Sequence, residues 1–301
     1  MRGRTDLAVE MKEDIKGDEP ITGVHLMTKN HGDTDVKETR IIVENEEGAL
    51  KLGKPVGTYI TLESEHFREQ DEGIHAPMME VLCKEIRQLI GNKKKIMVAG
   101  LGNREVTPDA LGPFVIDNLY VTRHLLKEGI IRESVELSAI APGVMAQTGM
   151  ESLTVLKALV DSIKPELLIV IDALAARESD RLNKTIQIAD TGITPGSGVG
   201  NHRNAINKES IGVPVIAIGV PTVIAVPTIV NDAMDVMVNA LGKQATKNVL
   251  KKFNDEERYQ LACEMVTPYL ENMFVTPKDI DEAVKRISYT ISEAINKAVL
   301  A

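Results

Sequence analysis

Lys95-Ile96-Met97-Val98-Ala99-Gly100-Leu101-Gly102-Asn103 and Glu166-Leu167-Leu168-Ile169-Val170-Ile171-Asp172 decide the fold. Both read as strands of a parallel sheet, and each leads to an acidic residue. The first passes through a short loop to Asp109, inside Thr107-Pro108-Asp109-Ala110-Leu111-Gly112-Pro113. The second ends directly on Asp172, followed by Ala173-Leu174-Ala175-Ala176-Arg177. In an open α/β sheet, loops at the carboxyl ends of neighbouring strands converge on one crevice, where ligands bind. Two carboxylates delivered to that edge can share a proton, or hold a metal or a water. Asp109 and Asp172 are therefore the candidates for the chemistry.

Outward from this pair, strands and helices alternate. Strands are expected over 95–101, 134–140, 166–172, 184–189 and 213–219. Helices are expected over 108–127, 151–163, 227–241, 244–252, 254–270 and 277–299, with Asn254 and Pro277 as start signals. Pro77 marks the first turn of a helix reaching Ile90. Before it, Thr39–Val43 and Ala49–Leu52 read as strands around a hairpin turn at 44–48, and Thr58–Leu62 as a further strand. Residues 1 to about 20 are charged and read as a mobile arm. The fold class is α/β: a mixed, mostly parallel sheet with helices on both faces, an N-terminal β-rich appendage (20–63) and C-terminal helices.

Composition agrees and excludes several functions. The chain has 301 residues, 43% hydrophobic and 26% charged, enough for a sizeable core. Aromatics make up only 3%, so the core must rest on Val, Ile, Leu, Ala and Met, which suits a helix-clad parallel sheet. A net charge of −9 argues against direct nucleic-acid binding, which needs a basic surface. No apolar run is long and charge-free enough to span a bilayer, and no secretory h-region follows Arg2 and Arg4. A cytoplasmic location is expected. Cys83 and Cys263 show no zinc spacing, and the histidines form no metal motif.

Two glycine-rich stretches invite nucleotide readings and fail them. After Gly100-Leu101-Gly102, the third glycine of a dinucleotide fingerprint would fall at residue 105, which is Glu. Thr191–Asn201 lacks a P-loop ending, and Ser197 is not in a nucleophile elbow because position 195 is Pro. Such glycines let backbone approach a ligand or an extended peptide closely.

Gly100–Asn103 with Val106–Pro113, then Ile171–Arg177, Ile186–Ile193 and Pro195–Asn201, resemble the spore germination proteases of endospore-forming bacteria. The resemblance covers nearly the whole chain. It implies a core similar to hydrogenase maturation endopeptidases, a tetrameric active form in the spore core, and degradation of small acid-soluble spore proteins. It further implies an atypical aspartic-type endopeptidase whose essential aspartates match Asp109 and Asp172. Thr5-Asp6-Leu7-Ala8-Val9-Glu10 resembles the family's cleavage sequence, so a zymogen is expected to trim itself between Asp6 and Leu7. Residues 1–6 would then be a propeptide and 7–301 a single peptidase domain.

On this reading the carboxylate pair activates water, and amides around Gly196, Ser197 and Gly198 pair the substrate backbone or polarise its carbonyl. Arg177 and Arg203 are candidates to receive acidic substrate side chains, and Arg2 and Arg4 to pair with the acidic crevice before trimming. No cofactor or membrane is expected. Two rival classes remain at this level: a metal-dependent peptidase, although no third ligand His can be placed, and a non-catalytic protein with an acidic binding cleft.

Overall fold

The computed structural model describes residues 5–15, 21–32, 34–68, 72–132, 134–200, 203–240 and 273–300, with isolated positions between 257 and 270. The chain opens with helix α1 (Ala8–Asp14), strands β1 (Val24–Asn30) and β2 (Lys37–Val43), helix α2 (Glu46–Leu52), strand β3 (Gly57–Glu63) and helix α3 (Glu72–Ile90). Strand β4 (Lys95–Gly100) leads through a 3-10 turn at Thr107–Asp109 into α4 (Leu111–Asp117), α5 (Arg123–Lys127) and β5 (Glu136–Ile140). There follow α6 (Met145–Thr148), α7 (Ser152–Ile163), β6 (Leu167–Ala176), β7 (Thr185–Ala189) and α8 (Lys208–Ile211). Strand β8 (Val215–Ala225), α9 (Val226–Ala240), β9 (Phe274–Val275) and α10 (Ile280–Leu300) complete the elements of the described residues.

The strands of the described residues join one sheet in the order β1-β2-β3-β7-β8-β6-β4-β5, with β9 on β8. Ladders β4–β5, β4–β6 and β6–β8 are parallel, and these are the strands that carry the acidic crevice. The remaining ladders are antiparallel and outnumber them. The β-rich N-terminal stretch is thus continuous with the core, through β3 on β7.

The strands' period of two sorts their side chains between two helical layers. On one face Ile96, Val98, Ile169 and Ile171 pack under α3 and α10. On the other, Met97, Ala99, Leu168 and Val170 meet Leu156 and Val160 of α7. Further along that second face, Leu174 and Ala176 pack on Leu7, Ala8 and Val9. Asp172 shares the phase of Leu168, Val170 and Leu174, and so falls between these two apolar patches.

Several expectations are corrected. The reading of the N-terminus as a mobile arm fails at Leu7, Ala8 and Val9, which are buried; the charged flanks hide a short apolar stretch. Residues 46–52 form a helix rather than the second arm of a hairpin, because the Asn45 side chain accepts from Gly48 N and Gly53 closes the helix in the left-handed region. Pro77 lies inside α3, not at its first turn. The helix expected over 108–127 is broken into a 3-10 turn, α4 and α5. Strand β6 does not end on Asp172 but runs to Ala176, alongside β8 to Ala225. The helices expected over 244–252 and 254–270 fall almost wholly outside the described residues, and Arg2 and Arg4 lie outside them.

Candidate active site

Asp109 is held by the glycine-rich exit from β4. Leu101 N extends the β4–β6 ladder by donating to Ile171 O at 2.8 Å. Gly102 then turns with φ +109, where a Cβ would overlap the Asp109 carbonyl oxygen; only glycine lets the 3-10 turn close so tightly on the strand end. Asn103 N donates to Asp109 Oδ2 at 2.7 Å, and Thr222 Oγ1 of β8 donates to Pro108 O at 2.7 Å. Asp172 sits opposite Gly219 of β8, 5% exposed, and accepts a hydrogen bond from Ala173 N at 3.0 Å.

Both carboxyls are displaced toward the neutral form. Burial pushes Asp172 well above the usual carboxylate range, and the charges of Asp109 and Asp6 push the same way. Burial also raises Asp109, opposed by the hydrogen bond from Asn103 N. The two line one cavity of about 770 Å³, together with Gly196, Arg203 and Asp6. Among the described residues no group of three His, Cys, Asp or Glu side chains is placed to hold a metal ion.

Asp6 enters this cavity on the end of β6. Its N donates to Ala175 O at 3.0 Å, and its carboxylate accepts from Ala175 N at 2.9 Å and Ser197 Oγ at 2.5 Å. Gly198 packs so closely that a Cβ there would overlap Asp6 Oδ2. The carbonyl oxygen of Asp6 accepts from Lys54 Nζ at 2.9 Å and Gln187 Nε2 at 3.2 Å. Four residues on, fully buried Glu10 accepts from Arg177 N (2.8 Å) and Glu178 N (2.9 Å), from the Thr5 hydroxyl, and pairs with Arg181 Nη1 at 3.5 Å. Burial raises the Glu10 pKa against these donors.

Asp109, Asp172, Asp6, Gly196 and Arg203 all line this one cavity, with Ser197 and Gly198 against Asp6. Arg177 lines no part of this cavity; its guanidinium turns to Glu178 and the Glu10 carbonyl. Lys54, Gln187 and Arg181 were not singled out by the sequence. Gln187 lies within the Ile186–Ile193 stretch that carries the resemblance, whereas Lys54 and Arg181 come from a loop and a 3-10 turn with no motif of their own. The one available signal was indirect: the acids of Thr5–Glu10 demanded partners.

An α/β sheet that brings two raised carboxyls into one cavity, Asp109 beyond the carboxyl end of β4 and Asp172 within the neighbouring β6, is an arrangement suited to acid–base chemistry. A family model described as germination protease matches residues 4–253. Curated germination proteases are similar over 98% of this chain and more than nine-tenths of their own length. That of Caldanaerobacter subterraneus is 46% identical (94% of its length covered), of Clostridium perfringens 43% (94%) and of Bacillus subtilis 35% (93%). Among solved structures, a NiFe hydrogenase maturation protease from Thermococcus kodakarensis aligns over 70% of this chain and 98% of its own, with 18% identity and a TM-score of 0.36. The chain belongs to the germination protease family and is a peptidase.

Proposed function

We propose that the protein is a self-trimming endopeptidase in which Asp109 and Asp172 activate water, and that it degrades small acid-soluble spore proteins at germination. The observation that carries this reading is the presence of Asp6, the residue before the expected cut, in the cavity of the two raised carboxyls. Carboxylates that feel each other's charge resist double ionisation, so the pair holds one proton under mildly acidic conditions. Burial and two neighbouring charges favour that proton on Asp172, while the Asn103 N–H favours the anion on Asp109. The anion takes a proton from water as the water attacks the carbonyl, and the protonated partner delivers its own to the leaving amide nitrogen. Because the two titrate jointly, a pH–rate profile reports values of the pair.

Thr5–Glu10 serves on this reading as a template for substrate. The Ser197–Ala175 site receives an acid before the cut, and the amides of Arg177 and Glu178 with Arg181 receive one four residues later. The working enzyme is a homotetramer in the spore core, a state that sedimentation of the trimmed chain would reveal. It needs no metal, so chelation should leave turnover unchanged.

The test is intact mass over time at mildly acidic pH, beside Asp172→Asn and Asp109→Asn. The parent should lose residues 1–6 and neither variant should. Loss in all three would remove the pair from the chemistry; loss in none would remove self-trimming.

A further inference from the structure

The peptide bond expected to break, Asp6–Leu7, is gripped on its carbonyl by two side chains from distant parts of the chain. Lys54, two residues beyond α2, places Nζ 2.9 Å from the Asp6 carbonyl oxygen. Gln187, in the middle of β7 and buried, places Nε2 3.2 Å from the same oxygen. The other end of that amide, Oε1, accepts from Ala8 N at 2.6 Å. A single glutamine thus spans the bond, holding the chain on both sides of it. A second, smaller cavity of about 110 Å³ adjoins these groups and is lined by Asp6, Lys54, Gln187 and Ser197. Asp6 borders both cavities, with the carboxylate pair in one and the two donors in the other.

We propose that Lys54 and Gln187 are catalytic residues that bind the negative charge developing on the Asp6 carbonyl oxygen as the bond is cut. This rests on the reading of Asp6–Leu7 as a site of hydrolysis. The water oxygen bonds to the carbonyl carbon and loses a proton to the anionic carboxylate, while the carbonyl π pair moves onto oxygen. The resulting oxyanion is held by the Lys54 and Gln187 N–H donors. When that pair folds back, the C–N bond breaks, its electrons leave on the Leu7 nitrogen, and the protonated carboxyl supplies the proton. A carboxyl on Asp6 and an amine on Leu7 result. Donors already aimed at the oxygen gain strength as its charge grows, and more so out of water. Lys54 is half-buried; loss of water lowers its pKa, and the Asp6 carboxylate works to keep it charged.

Three variants separate this role from simple positioning of the segment. Lys54→Met keeps the length of the side chain and removes its charge. Lys54→Arg keeps the charge. Gln187→Glu keeps the acceptor for Ala8 N and removes the donor to Asp6. The readouts are the first-order rate of loss of residues 1–6, and amide hydrogen exchange over Ala8–Glu10. Lys54→Met and Gln187→Glu should each slow trimming by about 10²–10³-fold with exchange unchanged, and Lys54→Arg should retain most of the rate. Trimming within about twofold of the parent in both, or a slow rate matched by loss of protection over Ala8–Glu10, would overturn the role. A parent that never loses residues 1–6 would instead fail the cut itself. A parent that trims while Lys54→Met keeps pace fails only the clamp.

Discussion

Asp172 occupies a position that a folded core would otherwise fill with an apolar side chain. Leu168 and Val170 before it and Leu174 and Ala176 after it pack into apolar clusters on the same sheet face. Its displaced pKa carries a sign. Folding holds a proton that the unfolded chain releases in the ordinary carboxylate range, so the folded state binds more protons between that range and the raised value. Stability contributed by the neutral carboxyl is complete below the unfolded pKa and is lost as pH rises through the folded one. Asp172→Asn removes this slope. Melting temperatures from about pH 4 to about pH 8 should show the variant gaining on the parent as pH rises. Parallel curves would mean that Asp172 ionises freely in the folded protein. The acid itself was legible in the sequence, since an Asp after six mostly apolar residues is hard to explain as surface decoration. Lys54 and Gln187 were not, because single residues in a loop and a strand gain meaning only from the carbonyl they meet.

At the level of elements, the legible parts were those with strong periodicity. The starts of the parallel strands, and helices α7 and α10, fall close to where the pattern put them. Short elements went wrong for a physical reason: in seven-residue α2, the Asn45 cap and the Gly53 terminator outweigh an apolar–polar alternation that read as strand. Helix α1 was lost because its hydrophobes are few and its charges many, yet Glu10 pins it to the chain beyond β6 through two backbone amides. Glu10→Ala would leave those buried N–H groups without their acceptor, at a cost of about 1–3 kcal/mol. Urea unfolding should show a lower midpoint at an unchanged slope. An unaltered midpoint would mean that α1 is held by its apolar contacts alone.

Taken as a whole molecule, the chain places its expected cut at the edge of its own core. The sequence marks residues 1 to about 20 as a mobile arm and Asp6–Leu7 as a cleavage site within it. The mobile arm fails against the packing, because Leu7, Ala8 and Val9 complete the cluster around Ile41, Tyr59 and Leu174. Burying a Leu or Val side chain is worth about 1.5–3 kcal/mol, and a domain of this kind is stable by only about 5–15 kcal/mol. Two truncations should therefore behave differently. A chain beginning at Leu7 loses the Asp6 contacts but keeps α1, and should melt within a few degrees of the parent. A chain beginning at Lys16 exposes the sheet face under Leu174 and Ala176, and should melt far lower or fail to fold. Equal melting temperatures for the two would show that α1 rests on the sheet without stabilising it, and that cleavage could release the whole N-terminal segment rather than its first six residues.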